Sequence, residues 1–173
     1  MAKKTNPIAT TFLSLAAAGL VLVIIGMCTG VISSTMGNQT EYATLFDKQW
    51  ADLEQMKPMA EALGLTLPSR TFPIIAFVVA IVGALAVLVN GILSALGKDI
   101  KILGLVGGSV AIVGGVLVIV ACFILASQFQ DIMVIATKGV TTTAGIGAWL
   151  GAIGGILAGV AGILGALKVG QKD

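Results

Sequence analysis

Four apolar runs, at about residues 8–33, 73–96, 102–127 and 144–167, contain no Asp, Glu, Lys, Arg or His. A bilayer core of roughly 30 Å needs about 20 residues of helix to cross it, and each run is that long. Backbone N–H and C=O groups must be paired in hydrocarbon, which leaves only helices or a closed barrel. The runs are continuously apolar and do not alternate at every second residue, so helices are predicted. The expected fold is an all-α integral membrane protein, one four-span domain over residues 1–173, with its transmembrane helices in a bundle.

The start of the chain has Lys3 and Lys4 followed by apolar residues from Ile8, as a cleaved signal peptide would. A signal peptide's apolar region is usually about 7–15 residues long. Here the run continues to about Ile32, with Ala16-Ala17-Ala18 in its middle, so a retained span is predicted.

Composition narrows the chemistry. Charged residues make up 10% of the chain and apolar ones 57%, against roughly 25% charged in soluble domains. The net charge of +2 comes without any basic tract, so no nucleic-acid partner is expected. With two cysteines and no histidine, the roughly four ligands of a Cys or His zinc site are lacking, and no metal or cofactor is expected. Ion-coupled transporters hold ionisable groups at membrane depth, and acid–base enzymes need such groups beside the substrate. Neither class fits spans that carry none.

Orientation follows from lysine and arginine placement. Lys3, Lys4, Lys98, Lys101, Lys168 and Lys172 fall on one side. The other side has Lys48, Lys57, Arg70 and Lys138, diluted by Glu41, Asp47, Asp52, Glu54 and Glu61. Both termini are predicted cytoplasmic, with the first and third loops outside.

Within the first loop, 34–72, the residues Tyr42, Leu45, Phe46, Trp50, Leu53 and Met56 recur at three- and four-residue steps. That is the period of an amphipathic helix. An extramembrane helix is predicted over Thr40–Lys57, capped by Thr40, interrupted by Pro58, with Gly64 as a later stop. Such a helix either rests on the bundle or membrane surface or docks a partner, and Tyr42, Phe46, Trp50 and Leu53 are the external contact residues chosen. The third span is expected to remain helical past the bilayer until Gly139, and Thr141-Thr142-Thr143 to cap the fourth.

The fourth span carries glycine at every fourth residue: Gly147, Gly151, Gly155 and Gly159. Gly104 and Gly108 repeat the spacing in the third. Membrane helices gain little hydrophobic energy by associating, so missing side chains that let backbones approach are the means of packing. These rows serve either seams within the bundle or an interface with another subunit. Asn90 is the most polar side chain at membrane depth and is expected to bond a neighbouring helix. Cys28 and Cys122 lie at similar depth in the first and third spans, so they are either packing thiols or a possible disulfide.

The layout resembles that of the claudin and peripheral-myelin type tetraspans: termini inside, a large first external loop and a short second one. That family's first loop is β-rich and carries a Trp-Gly-Leu-Trp stretch followed by two cysteines. This loop has one tryptophan, no cysteine and a helical period, so the resemblance is one of topology and transfers no activity or residue. The function expected is non-catalytic, acting by helix packing and assembly in the lipid bilayer. The partners are other membrane protein subunits or copies of the chain itself. The alternative is a small-solute or ion pore formed by oligomerisation of the glycine-rich helix.

Overall fold

The computed structural model describes residues 7–64, 66–96, 98, 100–136 and 139–167. Lys3, Lys4, Lys138, Lys168 and Lys172, on which the predicted orientation partly rests, lie outside the described residues. Four helices are long and apolar enough to cross a membrane: α1 (Pro7–Cys28), α3 (Thr71–Ala95), α4 (Lys101–Ala136) and α5 (Ile146–Ala166). A shorter helix, α2 (Gln49–Ala62), lies between α1 and α3 in the chain, and three strands complete the fold: β1 (Ile32–Met36), β2 (Gln39–Ala43) and β3 (Val140–Ala144).

Packing in the four-helix bundle is inverted relative to a water-soluble core. Buried positions are mostly small, among them Ala16, Ala76, Ala80, Ala84, Ala111 and Ala158, whereas Val21, Ile24, Val82, Val113, Val116 and Ile153 face outward. Large aliphatic side chains would be costly to leave in water at about 25 cal/mol per Å². Against lipid tails they cost nothing, and the small residues inside let the helices close up. The composition and the facing together describe a multi-pass membrane protein.

Helices α1, α3, α4 and α5 form a ring in that order, with α5 returning to α1. Across the ring α3 touches α5, while α1 and α4 share no contact. The largest core cluster joins the bundle to the strands and includes Val23, Ile32, Leu45, Trp50, Phe77, Val118 and Leu125.

The strands correct the helical reading of the first loop. β1 is central in a three-stranded antiparallel sheet of order β2-β1-β3. Met36 pairs with Gln39 across the two-residue turn Gly37-Asn38, and Gly37 sits at φ 59°. A glycine there accepts the left-handed backbone of a tight hairpin without a Cβ penalty. Residues 39–43 are therefore strand, not the first turn of a helix. Thr40 bonds Thr35 Oγ1 across the hairpin at 3.2 Å rather than capping anything. The helix begins only at Gln49, runs through Pro58 without interruption, and gives way to Gly64 at φ 71°. The first loop is thus strand at its start and helix only from Gln49.

Thr141-Thr142-Thr143 likewise form strand, not a cap. Their β-branched side chains suit a pleated surface, and the triplet pairs with Ser33, Ser34 and Thr35 of β1. Gly145 occupies the N-cap of α5 without a side-chain bond.

Pairing of β1 with β3 places the end of α1, the end of α4 and the start of α5 at one end of the bundle. Arg70, which donates to the Leu45 carbonyl, brings the start of α3 there too. Helix α4 is 36 residues long, about 54 Å at 1.5 Å per residue, longer than the roughly 30 Å of hydrocarbon, and its Gln130 bonds β3 in the head that the three strands and α2 form at this end.

Candidate helix-packing and external contact sites

A row of residues spaced by four turns 400° per step, so it drifts about 40° around the helix each time. Over the twelve residues from Gly147 to Gly159 the drift is about 120°, and the row in α5 follows it from one neighbour to the next. Gly147 lies against Gly26 and Gly30 at the end of α1. Gly151 reaches the middle of the bundle, facing Phe77 of α3 and Val118 of α4. Gly155 and Gly159 then face α4, against Gly115 and Gly108 respectively. The four glycines read as one seam in the sequence are parts of two seams, with the turn between them at the centre.

The α1 side is completed by Gly19 and Gly26. A Cβ at Gly19 would fall 2.6 Å from the Gly154 carbonyl oxygen, and one at Gly26 2.6 Å from that of Gly147. On the α4 side Gly108 meets the Gly159 carbonyl in the same way, at 2.7 Å, and Gly104 meets Ala166 and Asn90. No glycine of α5 is exposed; its outer face carries Ile146, Trp149, Ile153, Ile156 and Val160.

Asn90 is 6% exposed and one of two buried polar side chains among the described residues. Its Oδ1 accepts from the Ile100 backbone N–H at 3.3 Å. The bond ties α3 to the turn that starts α4, where backbone donors have no helical partner of their own. The other, Thr142, is held by Ser34 through their hydroxyls at 3.4 Å and by Gln130, whose Oε1 accepts from the Thr142 N–H at 2.6 Å. Gln130 also donates to the Val140 carbonyl at 2.8 Å. One side-chain amide from α4 therefore takes the place of a fourth strand along β3.

Both thiols are free. Cys122 is buried while Cys28 is exposed, and their helices occupy the open diagonal of the ring. The possible Cys28–Cys122 bridge is thus absent: equal depth along two helices does not bring them together when another helix stands on each side.

The external contact set divides. Tyr42 and Phe46 are exposed at 60% and 58%. Trp50 and Leu53 face inward: Trp50 is 3% exposed and Leu53 packs on the core. Trp50 Nε1 donates to the Thr44 carbonyl at 2.8 Å, and its ring meets Phe129 edge-on with centroids 5.5 Å apart. The helix starts nine residues later than expected, so its phase is its own, and its outward apolar residues are Met56, Met59 and Leu63. These three stand at i, i+3 and i+7, a spacing legible in the sequence once the correct starting point is known.

No family model, curated protein or solved structure matches the chain.

Arg70 organises the junction of head and bundle. Its Nη1 donates to the Leu45 carbonyl at 3.2 Å, its Nη2 pairs with Glu54 at 3.3 Å, and the guanidinium lies 5.9 Å from the Trp50 ring centroid. Exposed pairs contribute little alone, but here the carbonyl bond and the aromatic face fix the same group. Among the described residues no three His, Cys, Asp or Glu converge in the manner of a metal site.

Proposed function

We propose that the protein is a non-catalytic four-span membrane protein that works by assembly, as a subunit of a larger membrane complex or as a self-associating scaffold. Both termini lie on the cytoplasmic side; the sheet and the extramembrane helix α2 form an external head. One observation carries this reading: the head exposes Tyr42, Phe46, Met56, Met59 and Leu63 at 55–67% each, although it lies outside the apolar spans. Exposed apolar clusters on an otherwise folded surface mark contact with a partner or a membrane. The two buried polar side chains among the described residues support packing as their role: Asn90 Oδ1 accepts from the Ile100 backbone N–H, and Thr142 is bonded to Ser34 and Gln130.

The contact surface is placed on the head rather than on the glycine rows, because those rows are already occupied by α1, α3 and α4. A pore lined by α5 glycines loses support for the same reason. The test is the molar mass of the detergent-solubilised protein, and of the material that co-purifies with it from native membrane. Wild type should run as an assembly of fixed stoichiometry, and Phe46→Asp with Met59→Asp should reduce it to the single chain without loss of helix content. A wild-type protein that is a lone chain in both settings would end the assembly reading.

A further inference from the structure

Helix α2 and the segment that leads into α3 enclose a cleft of about 500 Å³, within the range of small-molecule sites. Glu54, Lys57 and Glu61 line one wall at i, i+3 and i+7; Thr66, Ser69 and Arg70 line the other. Two cations and two anions leave the lining neutral overall. Only Arg70 and Glu54 are paired. The side chains of Lys57 and Glu61 are exposed and have no ion-pair or hydrogen-bond partner among the described residues. Arg70 spends one donor on Leu45 and one on Glu54, and a guanidinium has five. A neutral site with one unpaired cation and one unpaired anion does not favour a net anion or cation. It matches a ligand that bears both.

The depth of the cleft selects among such ligands. Ser69 donates its N–H to Gln128 Oε1 at 3.4 Å, and Trp50 rests on Phe129. In α4 the uncharged apolar run closes just before these positions, at Ala126-Ser127, and α3 begins at Thr71. The cleft therefore opens where two spans leave the hydrocarbon, which is the level of lipid head groups.

We propose that this cleft binds the head group of a zwitterionic phospholipid, the phosphate against Lys57 and Arg70 and the ammonium against Glu61 and Glu54. The full chain in maltoside micelles is titrated with dioleoyl phosphatidylcholine and, separately, dioleoyl phosphatidylglycerol, with bound lipid read by native mass spectrometry. Phosphatidylcholine should be retained in preference to the anionic lipid. Lys57→Gln and Glu61→Gln should each weaken it about tenfold, through loss of a charge-assisted hydrogen bond to the phosphate at Lys57 and of the ionic attraction to the quaternary ammonium at Glu61. Both side chains are exposed and unpaired, so both variants should keep wild-type helix content. Glycerophosphocholine should displace the lipid only in large excess. Equal retention of the two lipids, no retained lipid, or affinities unchanged in both variants would overturn the proposal. Displacement by equimolar glycerophosphocholine would also overturn it, pointing instead to a soluble phosphodiester.

Discussion

A methyl group added at Gly26 is the sharpest probe of the α1–α5 seam. It would lie 2.6 Å from the Gly147 carbonyl oxygen and 2.6 Å from the Gly151 amide nitrogen. Non-bonded heavy atoms settle at about 3.5–4.0 Å, so the two helices must part by on the order of 1 Å. Both obstacles are backbone, and no rotamer change can relieve them. Overpacking of this kind costs about 1–3 kcal/mol, and the dispersion lost along the rest of the parted seam adds to it. Alanine in place of an interior helical glycine returns about 1 kcal/mol. Gly26→Ala should therefore destabilise the bundle by about 1–2 kcal/mol. Gly165→Ala is the control, since its methyl would meet Phe12 at 3.8 Å, an ordinary contact, and only the propensity gain of up to about 1 kcal/mol remains. Reversible unfolding in mixed micelles with increasing dodecyl sulfate, followed by circular dichroism, should separate the two variants by about 2–3 kcal/mol. If Gly26→Ala is as stable as Gly165→Ala, the close approach of α1 and α5 is wrong.

Three further substitutions or probes test other joints. Gln130→Ala removes both side-chain bonds to β3, so the Thr142 amide should exchange with deuterium about tenfold faster, a loss near 1 kcal/mol; unchanged protection would mean that Gln130 does not support the strand. Asn90→Leu should cost on the order of 1 kcal/mol in the same unfolding assay and loosen the α3–α4 turn; a neutral result would contradict its bond to Ile100. In the folded protein N-ethylmaleimide should modify Cys28 and leave Cys122 until denaturation, with labelling unaffected by reductant. Reductant-dependent labelling would reveal the bridge that the ring arrangement excludes.

Where sequence reading succeeded and where it went astray both have local causes. The long helices were plain because every residue from Thr71 to Ala95, for instance, obeys the same solvent requirement, and that requirement needs no knowledge of the neighbours. The loop was harder. Between Tyr42 and Met56 the apolar residues satisfy a 3.6-residue period only by running a strand, a turn and a helix together. Each of these is too short for its own period to stand out. The two-residue Gly37-Asn38 link between polar, β-compatible segments was the available hairpin signal, and the threonine triplet was the signal for β3. In the candidate contact set, Tyr42 and Phe46 were legible as outward-facing, whereas the side taken by Trp50 and Leu53 depended on where α2 begins. The pairing of the two thiols depended on which helices are diagonal.

Taken alone, the sequence determined how many helices can cross a bilayer and that small side chains would bring them close. Those are properties of single segments in a given solvent. Only the tertiary structure decided that Ser34 and Thr142, 108 residues apart, lie side by side in one sheet, and that the glycine row of α5 winds from α1 to α4. Strand pairing and helix neighbours are relations between segments, and the free energy that selects them arises only once the segments have met.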